Sequence, residues 1–354
     1  MVVCAVFSSF FSPLHLKDLV VTEAVGLDKS DSGISLCVQL LNTNAVSTKA
    51  EANQSNSTIT LQSECKSITQ GFERMQSALS KNMYFGHNKL FAISAECAQG
   101  GAFKNLPYSI SSLDSRSDIA LCITRCEALT VLKSEENNAR VPCESIINLI
   151  KSNEKNGTSI YVSAVEALNV FENETDDLIL PVLDYSKEDK ACFCSSLALF
   201  DSDRLVRFAD GENANGILLI IGRLSRYSME FETNELGKVT VELTNIKTKN
   251  DTNIIGDDVI FSTNLSFKVN VISCERKGVG ELSKEDTKLI YKKTEEQVEN
   301  LCKSSFDLCT KCGCDCFKCA RRLSKQNPKA YLSVKDDWDN YFANAKTDIT
   351  ACAE

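Results

Sequence analysis

The stretch Val25-Gly26-Leu27-Asp28, the polar turn Lys29 to Gly33 and the run Ile34-Ser35-Leu36-Cys37-Val38-Gln39-Leu40 decide the fold class. Two short apolar runs rich in β-branched residues and separated by a polar turn read as a β-hairpin with a longer loop. Downstream, Ile68, Phe72, Met75 and Leu79 recur at helical spacing, which predicts an amphipathic helix over Glu64 to Ser80 with its apolar stripe against a sheet. Between hairpin and helix, Thr43 to Ser57 is polar and reads as a solvent-facing loop.

The alternation continues. Lys89 to Ala95 and Asp118 to Thr124 are apolar runs of strand length, and Cys126 to Lys133, Cys143 to Lys151 and Val162 to Phe171 carry helical patterns. Strands and helices in this mixed order predict an α+β fold, mixed sheets flanked by helices in about three domains. The first domain, residues 17–185, is expected to end just after Pro181. A second region, residues 190–354, restarts with a hairpin at Ser195 to Phe200 and Arg204 to Phe208. It continues through an apolar helix at Gly216 to Leu224 and alternating strands at Lys238 to Ile246 and Leu265 to Val271, with a division expected near Asn250. Ser283, with Asp286 three residues on, opens a long helix to about Leu308. A helix around Trp338 to Phe342, whose rings at 338, 341 and 342 share one face, and a strand at Thr347 to Cys352 close the chain.

Composition removes several function classes. The 354 residues suit two or three domains at ~150 residues each. Hydrophobic content of 43% and charged content of 25% are ordinary for a folded globular chain. A net charge of −9 with no basic run argues against nucleic acid as a partner. No run of about eighteen apolar residues is present, so membrane attachment would come from the N-terminus or from partners. Met1 to Phe11 is apolar or small throughout, and residues 1–16 read either as the remnant of an export signal or as an N-terminal strand or helix.

Catalytic patterns are sparse. The two histidines, His15 and His87, are far apart, and no G-x-S-x-G, P-loop, dinucleotide fingerprint or H-E-x-x-H occurs. The chain therefore reads as no enzyme, without catalytic or cofactor-binding residues and with no cofactor. One constellation suggests chemistry. Cys309, Cys312, Cys314, Cys316 and Cys319 contain two C-x-x-C pairs, the spacing at which thiolates hold zinc or an iron–sulfur cluster, so the alternative function is a metal- or redox-binding protein. Read as a helix, Cys309, Cys312, Cys316 and Cys319 instead extend the stripe of Leu301, Cys302 and Phe306, and packing accounts for them without a metal. The seventeen cysteines are too many and too scattered for a small disulfide scaffold and suit buried thiols.

Several phrases, taken in order, resemble the C subunits of spore germinant receptors, the Ger(x)C family. They are Val25-Gly26-Leu27-Asp28 before a hairpin, Gly86-His87-Asn88-Lys89-Leu90 leading into a strand, Leu113-Asp114-Ser115-Arg116-Ser117-Asp118, Glu127-Ala128-Leu129 and Leu180-Pro181-Val182-Leu183. Near the C-terminus, Asp315-Cys316-Phe317, Pro328-Lys329-Ala330-Tyr331 and Asp337-Trp338-Asp339-Asn340-Tyr341-Phe342 match in the same sense, with Tyr331 where tryptophan is commoner. The resemblance implies a non-catalytic subunit of a nutrient germinant receptor acting in spore germination. It implies a peripheral location on the outer face of the spore inner membrane, with A and B membrane subunits and the membrane surface as partners. Members are lipoproteins whose mature chain begins at an acylated cysteine. Here Phe10 to Pro13 occupies that place, and Cys4 follows only three residues, too few for a signal peptide, so no lipidated residue is carried over.

Overall fold

The computed structural model describes residues 16–42, 57–101, 118–134, 141–173, 175–256 and 258–354. His15, the expected loop at 43–56, the phrase at 113–117 and residues 1–15 lie outside them.

The opening hairpin forms as β1 (Leu19–Ser30) and β2 (Gly33–Leu41), with Val25 opposite Val38. It is followed by β3 (Thr58–Cys65), α1 (Ile68–Ser77), β4 (Asn82–Tyr84), β5 (Leu90–Ser94), α2 (Ala95–Gln99), β6 (Ala120–Thr124), α3 (Ala128–Leu132), α4 (Pro142–Lys155), α5 (Ala164–Phe171) and β7 (Ile179–Ser186). Then come β8 (Ala191–Asp201), β9 (Arg204–Asp210), α6 (Gly211–Ile220), β10 (Arg226–Thr233), β11 (Gly237–Ile255), β12 (Asp258–Cys274), α7 (Lys284–Cys312), α8 (Cys319–Gln326), α9 (Pro328–Val334), α10 (Trp338–Ala343) and β13 (Lys346–Ala353).

Two sheets result. The first runs β3-β2-β1-β5-β6-β7-β8-β9, with β4 pairing β1 beside β5. Its centre, β1, β5, β6 and β7, is parallel, and both flanks are antiparallel hairpins. The second is β10-β11-β12-β13, in which β13 returns parallel to β12. A mixed α+β architecture is therefore what the chain adopts.

Parallel strands must be covered on both faces. On one face Ala24, Cys37, Ala92 and Cys122 lie under α3 and α4. The other face, with Val25, Leu36, Phe91 and Leu121, shares a continuous core with α6, α7 and the inner face of the second sheet. Small residues line the α3 side because the helix approaches closely. A Cβ on Gly26 would meet Cys37 Sγ at 2.4 Å and Ala128 Cβ at 3.0 Å. Gly216 does the same between α6 and α7, where a Cβ would meet Ser305 Oγ at 2.1 Å and Leu301 O at 2.8 Å.

Several elements differ from the sequence reading. The helix expected from Glu64 begins at Ile68, because Thr58 to Cys65 forms the edge strand β3 and Ser67 caps the helix by accepting the Gln70 N–H at 3.3 Å. Pro181 lies inside β7. That strand pairs with β6 only at Ile123–Val182 and Thr124–Leu183, so the proline's missing N–H falls outside the parallel ladder. The helix expected over Gly216 to Leu224 starts at Gly211 and stops before Gly222, whose φ is +71°. The hairpin β8–β9, read as the start of the second region, extends the first sheet, and β11 runs unbroken through Asn250.

Candidate functional site

Three clusters carry the residues the sequence singles out. The first joins β1 to α3. Asp28, 5% exposed, accepts the backbone N–H of Ala128 at 2.6 Å and of Leu129 at 3.2 Å, satisfying donors that the first turn of a helix leaves open. Burial raises its carboxyl above the ordinary aspartate value, although both N–H groups work the other way.

The second lies where β1 and β5 begin to pair. The Lys89 N–H donates to Glu23 O at 2.9 Å, which brings the two side chains together. Glu23, 2% exposed, meets His87 Nδ1 at 2.9 Å and Lys89 Nζ at 3.3 Å, while Lys89 Nζ also reaches Glu144 Oε1 at 2.5 Å. Burial works against the charge on Lys89, but the Glu144 and Glu23 carboxylates outweigh it and hold its pKa up. Cys143 Sγ is 3.9 Å from Glu23 Oε2, and burial first, then that carboxylate, pushes its thiol far up. A thiol held neutral beside an acid is the reverse of what a nucleophilic cysteine needs. His87 is thus a partner of a buried carboxylate, in a paired network of the kind that makes an interior charge tolerable.

The third cluster is the five cysteines. They do not form one helical stripe. Cys309 and Cys312 end α7, Gly313 at φ +79° closes it, Cys314 and Cys316 lie in the turn that follows, and Cys319 opens α8. Four of the five are buried, Cys309 and Cys316 have their sulfurs 3.9 Å apart, and burial lifts the Cys309 and Cys312 thiols to about 11 and the other three well above the ordinary range. Among the described residues no group of three or more His, Cys, Asp or Glu is disposed to hold a metal ion. The sulfurs pack against an aromatic core in which Phe306 stacks on Phe261 at 4.9 Å and on Phe317 at 5.2 Å.

Asp315, in the middle of that turn, is a residue the cysteine reading overlooked. Its two oxygens accept the N–H of Cys319 and of Ala320, each at 2.9 Å, and so cap α8. Its own N–H donates to Asp177 Oδ2 at 2.7 Å, and Asp177 Oδ1 accepts the Ser202 N–H at 3.0 Å. Next to them Arg321 pairs with buried Asp176 at 2.7 Å. The turn at 313–319 is thereby tied to the first sheet by hydrogen bonds. Burial pushes Asp315 up to about 7 and Asp177 up to about 6.

At the C-terminus Phe342, 1% exposed, is the ring that enters the core, 6.0 Å from Phe306. Trp338 is half-buried, stacked at 6.2 Å on Phe342 and tilted against Tyr331 at 6.3 Å, and Tyr341 is also half-buried.

Comparison with known families matches residues 14–185 to the family described as "Spore germination protein N-terminal domain" and residues 195–354 to "Spore germination B3/ GerAC like, C-terminal". The chain belongs to the Ger(x)C family of spore germination proteins. Among solved structures it is similar to "Crystal Structure of the GerBC protein", with a TM-score of 0.64 and 15% identity over 93% of this chain and 96% of that one, a likeness of fold. No curated protein matches it. As a Ger(x)C chain it is a spore germination receptor subunit. The phrases that carry the resemblance acquire physical roles. Gly26 admits α3, Asp28 caps it, Lys89 partners Glu23, and Asp315 caps α8.

Proposed function

We propose that this chain is a non-catalytic subunit of a nutrient germinant receptor, an assembly and binding protein at the membrane surface. On this reading it stands on the outer face of the spore inner membrane and joins a membrane A subunit and a membrane B subunit. The observation that carries it is the tiling of almost the whole chain by the two Ger(x)C domains.

Two further facts support it. The polar groups that mark the family are spent on helix caps and on an ion pair with buried Glu23, which leaves no reacting centre in them. Among the described residues no helix is long and apolar enough to cross a membrane. Retention at the membrane would then rest on the A and B partners, and a lipid at the N-terminus, as in other members, would add a second hold.

The test is genetic. In spores whose other C-type subunits have been removed, deletion of this chain should abolish the nutrient-triggered fall in optical density. The wild-type gene should restore it, and so should a His87→Ala variant. An undiminished nutrient response in the deleted spores would overturn the proposal.

A further inference from the structure

A cavity of about 170 Å³ opens between the α5–β7 segment and the turn that leads into α8. Val162, Val170 and Leu178 of the first region give it apolar surface, and Phe317 in the turn before α8 adds a ring. Its polar groups are cationic on balance. Arg223 is neutralised by Glu166 in an ion pair, and Asp177 has both oxygens occupied by backbone N–H groups. Arg322 has no such counter-ion. Among the described residues no carboxylate lies within ion-pair distance of it, and its one hydrogen bond is a long 3.5 Å contact to Thr252 Oγ1. Asp251 feels its charge, but the oxygens of Asp251 accept the Thr252 N–H at 3.0 Å and the Asn253 amide at 2.9 Å.

A guanidinium with unused donors at the side of a partly apolar pocket is a receptor for a carboxylate, which it binds through paired, charge-assisted hydrogen bonds. The size of the pocket sets the rest of the ligand, since an apolar cavity of roughly 150 Å³ holds a molecule as large as benzene. Lys318, at the rim, holds φ +61°, a left-handed conformation that is unfavourable outside glycine and recurs at ligand-binding turns. We infer that this cavity is a binding site for a small monocarboxylate with a branched aliphatic or aromatic body, the carboxylate on Arg322 and the body against Val162, Val170 and Leu178. The inference stands on the cavity and holds whether or not the chain acts in a receptor. Because Val162, Val170 and Leu178 belong to the first region while Phe317 and Arg322 belong to the turn and helix α8 near the C-terminus, the ligand would bridge the two.

Titration calorimetry of the full chain with 4-methylpentanoate and with its neutral amide tests this. The acid should bind about tenfold or more tightly than the amide, the scale of a hydrogen bond to a charged group. Arg322→Gln should erase that difference, and Val170→Phe, which fills the pocket, should abolish binding of both, with circular dichroism confirming that each variant folds. Should Arg322→Gln fail to fold, the acid–amide comparison on the wild type and the Val170→Phe variant still decide. Equal affinity for acid and amide, no heat from the acid up to its solubility, or unchanged binding by Val170→Phe would overturn the inference.

Discussion

Asp28 on β1 accepts the backbone N–H of Ala128 at 2.6 Å across a sequence separation of 100 residues, so the first strand of the chain caps the helix that follows β6, two strands away in the sheet order β1-β5-β6. Directly beneath that helix Gly26 leaves no room for a methyl group. The Gly-x-Asp spacing therefore performs two tasks on one strand, close approach at Gly26 and capping at Asp28.

Replacing Asp28 by alanine should lower unfolding stability by about 1–2 kcal/mol, the usual loss for an N-cap. Gly26→Ala should cost about 1–3 kcal/mol through overpacking. Cys37→Ala, which removes the sulfur the new methyl would strike, should recover part of it. Urea melts of the single and double variants measure the coupling, and strict additivity of Gly26→Ala and Cys37→Ala would count against the packing explanation.

Acidity should tighten the join between the turn at 313–319 and the first sheet. Asp315 and Asp177 have folded pKa values raised to about 7 and about 6 by burial, against an ordinary value near 4. Between those limits the folded state holds more protons than the unfolded one, so stability rises as pH falls from about 7.5 to 5 and is lost again as pH climbs through the folded values. Thermal midpoints should therefore increase over that window. In a variant carrying both Asp177→Asn and Asp315→Asn the slope should flatten. A wild-type midpoint that falls steadily from pH 7.5 to 5 would contradict the assignment.

The cysteine cluster should behave as packing. Purified protein is expected to carry zinc and iron well below one equivalent, and chelator should leave its melting curve unchanged. Cys309→Ala should cost about 1 kcal/mol, the scale of deleting one methylene-sized group from a core. Stoichiometric metal lost together with the fold on chelation would restore the metal-binding alternative.

Phe342, rather than Trp338, should be the anchor of α10. Phe342→Ala is expected to cost about 3–5 kcal/mol, as for a fully buried ring, and Trp338→Ala less because that residue is only partly buried. Comparison of the two melting midpoints checks this. A larger loss for Trp338→Ala would reverse the roles.

Much of the fold was legible because apolar strands and an amphipathic helix leave strong periodic patterns. The opening hairpin, β12 and the Ser283–Asp286 start of α7 all appear where the residues suggest. β3 escaped notice because an edge strand with half-exposed faces, Thr58-Ile59-Thr60-Leu61-Gln62, shows little apolar alternation. β7 was obscured by Pro181, which ordinarily argues against a strand. The helical spacing of the cysteines runs across Gly313, a residue type that commonly terminates helices and ends α7 here. The candidate site was the least legible part. The Glu23–Lys89 pair, the Asp315–Asp177 link and the unneutralised Arg322 join residues that only tertiary structure brings together.

Membership of a membrane-held receptor assembly can be read out by affinity capture of the tagged chain from detergent-solubilised spore inner membranes, followed by mass spectrometry. Two integral-membrane subunits should co-elute with it in fixed proportion, with neither recovered from spores carrying the tag alone. Recovery of the chain by itself from the soluble fraction, with no membrane subunit bound, would contradict that membership.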